Sequence, residues 1–368
     1  MLTVELAGTE EPASPLWLGE FRDAPQAHRQ PRHPVRRRHR LPQGAHAPTP
    51  LLPARRVAVY SRSTASTHAV LTDETGGPML PSVPLDQTLH FLVDLLNTPS
   101  PTGDTDAAIT LVADVCATLP LRMRRTRKGS LLLTWEGPAD CPRALTAHVD
   151  TLGAMVRQIK SNGRLLLTGI GGFDWHSLET EGCIVVTREG KAIRGSILPT
   201  KASVHIYGDE ARKLERVADN YEVRLDAQIS GEDDTVALGI NVGDFVYIDP
   251  RVEITNGFIR SRHLDDKAGV AAIYGALLGL HQAGLAPRQR LDVLISNYEE
   301  VGHGGASGIP ADVAELVVVD MAAAGGDQNS DEFSVGICAK DSGGPYHLGL
   351  RRRLEALARA HAIPYRTD

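Results

Sequence analysis

The sequence predicts an α/β protein of layered architecture interrupted by a β-rich insert. Three observations predict it. Apolar segments of helical and strand period alternate from about residue 85 to 153, and again from 257 to 368. Between them, residues 154–256 carry short β-like runs broken by glycines and polar turns. Residues 1–80 show no periodic apolar face. The expected organisation is therefore a disordered, basic Pro/Arg-rich extension over 1–80 and an α/β domain built from 81–153 and 257–368. A small barrel or sandwich is inserted at 154–256. A length of 368 residues suits two or three domains.

The elements follow in order. Asp86 is placed to cap a helix in which Leu89, Leu92, Val93 and Leu96 share a face. After the turn Pro101-Thr102-Gly103, a second helix puts Ile109, Val112, Cys116 and Leu119 on one side. Ser130–Trp135 and Arg143–Ala147 read as strands, the second running into His148. Within the insert, Gly182–Thr187, Ala202–Ile206 and Asp244–Ile248 read as strands, with one modest helix near Glu210–Ala218. Asp266 opens an apolar helix over Ala268–His281; strands follow at Arg290–Ser296, Leu316–Val319 and Phe333–Cys338, then a helix at Leu348–His361. No internal repeat is present.

Composition excludes several function classes. At 42% hydrophobic and 23% charged, the chain has ample material for a core. Only 5% is aromatic, which argues against a platform for single-stranded nucleic acid. The longest nearly apolar run, Ala268–Leu280, is too short to span a bilayer, so no membrane association is expected. Glu5, Glu10 and Glu11 stand where a secretory signal needs a basic and then apolar start. Four scattered cysteines without a CxxC pair fit reduced thiols, and a cytoplasmic protein is expected. The net charge of −6 includes nine arginines in residues 24–72, a stretch with no Asp or Glu; the remainder sums to −15. That basic stretch is rich in proline and reads as a solvated tail rather than a nucleic-acid arm.

Four short constellations carry chemistry, each at a strand end or helix start. In His148-Val149-Asp150, alternate residues of an extended segment point the same way, so His148 can bind a metal while Asp150 supports it. Leu264-Asp265-Asp266-Lys267 opens a helix; an acidic cap explains it, and so does a carboxylate bridging two cations. Tyr298-Glu299-Glu300-Val301-Gly302-His303 follows a strand, so one glutamate can ligate a metal while its neighbour faces substrate. Val317-Val318-Val319-Asp320 ends a buried run in a carboxylate, costly unless paired or bound to a cation. Ligands in open α/β sheets gather at the carboxyl ends of strands. One histidine and several carboxylates converging there make a site for zinc, cobalt or manganese.

The order H-x-D, β insert, L-D-D-K-A-G, E-E-V-G, strand-terminal Asp resembles the M42 family of metallo-aminopeptidases, of the co-catalytic di-zinc exopeptidase clan. The resemblance runs from about Leu85 to Asp368 and includes Gly169-Ile170-Gly171-Gly172-Phe173-Asp174-Trp175 and Asn241-Val242-Gly243-Asp244. The phrases around Glu299 and Cys338-Ala339-Lys340-Asp341-Ser342-Gly343-Gly344-Pro345 look like the branch associated with the osmoprotectant N-acetylglutaminylglutamine amide. The family implies a three-layer, mixed-sheet metallopeptidase domain with an inserted small β-barrel-like domain. It implies two divalent ions per subunit, zinc or cobalt. His148 and Asp320 would bind one, Glu300 the other, and Asp265 both. Asp150 would lend support, Glu299 would act as general base, and the Asp265–Asp266 peptide would be cis. It also implies short peptides as substrate, removal of their N-terminal residues, and a homo-oligomer assembled through the insert.

The match has departures. Family members carry a further metal-binding histidine near their C-terminus, whereas this sequence stops at Tyr365-Arg366-Thr367-Asp368, and the expectation is a C-terminally truncated member. His303 is the nearest substitute, and His176, His263 and His347 read as surface or packing residues. Two other functions stay open: a non-catalytic scaffold that keeps the fold, and a related di-metal deacylase or carboxypeptidase acting on N-acylated amino acids.

Overall fold

The computed structural model describes residues 2–5 and 80–368. The expectation of disorder over 1–80 otherwise falls outside the described residues; Leu2–Glu5 forms a strand, β1. Helices α1 (Leu85–Asn97) and α2 (Asp106–Cys116) lead into β2 (Arg122–Arg125), β3 (Leu131–Trp135) and β4 (Ala139–His148). The insert supplies β5 (Gly153–Ile159), β6 (Leu165–Ile170), β7 (Gly182–Val186), β8 (Ala192–Pro199), β9 (Tyr221–Leu225) and β10 (Phe245–Ile248). The hairpin β11 (Glu253–Thr255) and β12 (Phe258–Ser261) leads to α3 (Leu264–Gln282), β13 (Gln289–Ser296) and β14 (Glu315–Val318). Last come β15 (Val335–Ile337), α4 (Leu348–Ala360) and β16 (Tyr365–Thr367). Strand β1 pairs antiparallel with β12.

The main sheet has the order β14-β4-β13-β3-β2 and is mixed. Strands β14, β4 and β13 run parallel, whereas β3 and β2 are antiparallel additions at one edge. Register decides what this sheet can do. His148 stands opposite Ser296, and Val318 opposite Thr146, so three parallel strands finish within two residues of one line. The residues that leave those strands therefore emerge along one edge, as the sequence led us to expect.

One face of the sheet is packed by the helices. Leu95, Leu96 and Ile109 from α1 and α2 meet Val270, Ile273, Tyr274 and Leu277 from α3, over Leu131, Leu133, Val293 and Ile295. Helix α3 is apolar almost all round because it lies between α1 and the sheet. Each such leucine or isoleucine contributes about 1.5–3 kcal/mol through burial.

The insert closes as a six-stranded barrel, β10-β5-β6-β9-β8-β7 and back to β10. Alternation makes this possible. Along β8, Ile193, Gly195, Ile197 and Pro199 point inward while their neighbours face out, and Leu165, Leu167, Val185, Val223 and Val246 complete a separate core.

Three local expectations differ. Ala202–Ile206 is not a strand: a helical turn occupies Val204–Tyr207, because a short alternating run between Ser203 and Gly208 suits either state. The helix expected near Glu210–Ala218 shrinks to Asp209–Arg212 and a 3₁₀ turn at Ala218–Asn220. Pro84, not Asp86, occupies the start of α1, and Asp86 falls in the first turn.

Candidate metal centre

His148 ends β4 with its side chain 2% exposed. Its Nδ1 lies 2.9 Å from the Asp150 carbonyl oxygen and 3.5 Å from Asp150 Oδ1. That fixes the ring and turns Nε2 outward. Nε2 is buried and makes no hydrogen bond. It nonetheless faces three carboxylates, with Asp265 Oδ1 at 3.2 Å, Glu299 Oε2 at 3.6 Å and Asp320 Oδ1 at 3.9 Å. A ring nitrogen that faces three carboxylate oxygens and is bonded to none of them is a position that a divalent cation satisfies. His148, Asp265 and Asp320 can each offer one atom, all within 4.8 Å of one another. Among the described residues this is the one such group of three.

Each carboxylate arrives by its own route. Asp320 follows β14 by two residues, held by the Val319 N–H donating to Thr146 O at 2.8 Å, and its own Oδ1 accepts from the Met321 N–H. Asp265 sits where α3 begins irregularly. Asp265 (ψ 110°) and Asp266 (ψ 28°) are non-helical and the peptide between them is cis, so regular helix starts only at Lys267. Glu299 and Glu300 occupy a 3₁₀ turn just past β13. The side chains of Asp265, Glu299 and Asp320 are 39%, 48% and 33% exposed over the buried histidine, so the cluster opens to solvent.

Asp150 is fully buried and accepts three hydrogen bonds: Thr102 Oγ1 at 2.7 Å, the Glu299 N–H at 3.1 Å and the Glu300 N–H at 3.2 Å. Burial pushes its pKa up, but His148, Thr102 and the Glu299 amide outweigh that and hold it below the usual carboxylate range. Other acids are driven the opposite way. Burial, then the charge of Asp265, pushes Glu300 up to about 8. Burial, then Asp320, pushes Asp266 up to about 8, and burial pushes Asp320 up to about 6. Burial lowers the His148 pKa, yet Asp150 and Asp265 together raise it to about 11. Carboxylates crowded into a buried site raise one another's pKa, and a bound cation would relieve that repulsion. The donor set of one imidazole and several carboxylates suits zinc, cobalt or manganese, so the residues present fit a metal.

All six residues singled out in the sequence lie at this edge of the sheet. Three others take part that sequence reading gave no role, and a fourth, Asp266, it read as a helix cap. Thr102 bonds Asp150; Asp266 Oδ2 accepts the His148 N–H at 3.1 Å. Lys267, fully buried, donates from Nζ to Thr98 O at 2.7 Å, and burial lowers its pKa to about 7. Asn297 joins three segments beneath Glu299. Their residue types are ordinary for caps and turns, and only contacts over more than a hundred residues reveal most of them. His303 stacks on Tyr298, centroids 5.2 Å apart and 20° between planes; His347 Nδ1 caps α4; His263 is buried.

The profile of the family described as M42 glutamyl aminopeptidase matches residues 129–368. The chain belongs to the M42 peptidase family. This M42 chain is 46% identical over 284 residues to the Bacillus subtilis (strain 168) protein named "Putative aminopeptidase YhfE", covering 77% of the chain and 82% of that relative. Its fold is similar to a TET aminopeptidase from the marine sediment archaeon Thaumarchaeota archaeon SCGC AB-539-E09, with TM-score 0.69 and 20% identity over 77% of this chain and 81% of the other. It is similar too to the Pyrococcus horikoshii TET1 peptidase, described as assembling into a tetrahedron or a large octahedral shell, at TM-score 0.63 and 20% identity over 76% and 83% of the two chains. Family membership makes the chain a hydrolase acting on peptide bonds. No described helix is long and apolar enough to cross a membrane.

Proposed function

We propose that this chain is a metal-dependent aminopeptidase that removes N-terminal residues from short peptides. His148, Asp265 and Asp320 would hold one divalent cation, and Asp265 and Glu300 would serve a second; zinc or cobalt suits these donors. The observation that carries the reading is the buried, unbonded His148 Nε2 facing three carboxylates at the sheet's carboxyl edge. Glu300 follows Glu299 in the same 3₁₀ turn just past β13, which supports its taking part at the same edge.

The bound ions supply Lewis acidity, which makes a water nucleophilic near neutral pH and polarises the scissile carbonyl. Glu299 is half-exposed, with Oε2 3.6 Å from His148 Nε2, so its carboxylate is placed to meet both a water held there and a substrate entering from solvent. It takes the proton as the water oxygen bonds to the carbonyl carbon. When the C–N bond breaks, the same carboxyl returns the proton to the departing amine. Asp150 keeps the imidazole and both glutamate amides in register. The exposed acidic rim attracts a protonated α-amine, which favours cleavage at the N-terminus. The shells described for Pyrococcus horikoshii TET1 support a homo-oligomer for this chain as well.

The test is metal content together with Glu299→Gln. Wild-type protein is expected to bind two equivalents of zinc or cobalt and to hydrolyse an aminoacyl amide with a free α-amine. The variant should bind metal alike, yet lose about 10²- to 10⁴-fold in kcat. Protein that takes up no metal and shows no hydrolysis with added cobalt overturns the proposal and leaves a scaffold role. Hydrolysis confined to N-acylated substrates overturns it too.

A further inference from the structure

Glu299 and Glu300 reach the metal centre only because the chain reverses just after β13. The reversal occurs at Tyr298, whose φ of +139° is a conformation that glycine adopts readily and a bulky side chain does not. Such a backbone persists only when its surroundings hold it. Downstream, the Glu299 and Glu300 amides donate to Asp150, and the His303 N–H donates to Tyr298 O at 3.1 Å. Upstream, the Val149 N–H donates to Ser296 O at 3.1 Å, and one side chain adds to the hold.

Asn297 is 3% exposed, and each of its polar atoms is used. Oδ1 accepts from Ser130 Oγ at 2.6 Å; Nδ2 donates to Lys128 O at 3.0 Å and to Thr105 Oγ1 at 3.2 Å. Ser130 and Thr105 are themselves buried. The contacts come from the turn before β3 and the start of α2, two segments far from β13 in sequence. The neighbouring backbone is shaped to admit this amide. Gly129 has φ +97°, and a Cβ there would stand 2.8 Å from Asn297 Nδ2. On the other side, a Cβ on Gly304 would meet the Glu299 nitrogen at 2.8 Å. A hydrophobic residue at 297 would leave the buried Ser130 hydroxyl without its acceptor and the half-buried Lys128 carbonyl without its donor.

We propose that Asn297 is a positioning residue: by tying the end of β13 to Ser130, Lys128 and Thr105, it sets where Glu299 and Glu300 project over the metal centre. The roles of the two glutamates rest on the function proposed above. The placement itself does not.

The experiment compares wild-type, Asn297→Leu and Asn297→Asp protein by amide hydrogen exchange without metal and by steady-state kinetics with zinc or cobalt. In Asn297→Leu the amides of Glu299 and Glu300 should lose about tenfold or more in protection, while those of Asp292 to Ile295 stay within about threefold. kcat should fall about 10- to 100-fold with KM within about threefold. Asn297→Asp keeps the Ser130 contact and should lie between. Protection lost evenly along β13, or no change at Glu299 and Glu300, overturns the proposal, as does a folded Asn297→Leu enzyme with kcat within twofold of wild type. Should Asn297→Leu fail to fold, Ser130→Ala removes one of the three bonds and is read by the same local exchange. A wild-type protein inactive with both metals refutes the proposed function while leaving the exchange result to decide this one.

Discussion

Replacing Asp150 by Asn tests whether one buried carboxylate organises the centre. Asp150 accepts from Thr102 through Oδ2, from the Glu300 amide also through Oδ2, and from the Glu299 amide through Oδ1. A carboxamide keeps one acceptor oxygen. In its better orientation that oxygen serves Thr102 and Glu300, and its NH₂ then confronts the Glu299 N–H, donor against donor. One bond to a charged group is lost, at about 1.5–3 kcal/mol, and an unsatisfied amide adds about 1–3 kcal/mol. The smaller cost of burying a neutral group offsets part of this, leaving a net loss of about 2–4 kcal/mol. Thr102→Val removes a single bond and should cost about 1–2 kcal/mol. Urea unfolding of chelator-treated protein at pH 7 measures both. Zinc-supported turnover should fall about 10- to 100-fold in Asp150→Asn and less in Thr102→Val. An Asp150→Asn protein as stable as Thr102→Val would refute the reasoning, because the two glutamate amides would then gain nothing from this carboxylate.

Two further outcomes follow from the same geometry. Glu300 and Asp266 are pushed up to about 8 and Asp320 to about 6, so the metal-free native state holds protons that the unfolded chain releases above about pH 4. Stability without metal should therefore decline as pH rises from about 5 through 8. Zinc displaces those protons, so affinity should climb over the same range with at least one proton released; calorimetry in two buffers of different ionisation enthalpy measures this, and an affinity independent of pH refutes it. Gly129→Ala places a Cβ against Asn297 at a φ of +97° and should cost about 1–3 kcal/mol in urea unfolding; a cost below about 0.5 kcal/mol would mean that the turn yields freely.

Much of this was readable in the sequence because β-strand chemistry is local. Val317-Val318-Val319-Asp320 and Ala147-His148 announce a strand and what it delivers at its end, although β14 lies at the sheet edge with Leu316 and Val318 exposed, not in the buried run that the sequence suggests. Parallel register then brings those ends together without further information. The Asp265-Asp266 pair is different. A helix cap and a ligand-bearing turn call for the same residue type, and only the backbone separates them: Asp265 is turned toward His148 Nε2, whereas Asp266 folds under to the His148 N–H. Short alternating runs in the insert misled for a related reason. A four-residue apolar stretch has too few positions to distinguish a period of 2 from one of 3.6.

Thr102 and the partners of Lys267 and Asn297 share one segment, which explains why these contacts escaped notice. Residues 98–105 connect α1 to α2 and read as a polar turn. In the folded chain Thr98 O accepts from Lys267 beside the Asp265-Asp266 kink, and Ser100 Oγ donates to Val149 O between His148 and Asp150. Thr102 donates to Asp150, and Thr105 Oγ1 accepts from Asn297 two residues before Glu299. One loop thus touches three of the four segments that deliver site residues, and it contributes no ligand of its own. Its buried hydroxyls and carbonyls need partners wherever they lie, and here those partners belong to the chain that carries the site. The sheet brings the carboxylates to one edge, while this loop holds the backbone that aims them. Only the first of those two tasks leaves a pattern that can be read along the sequence.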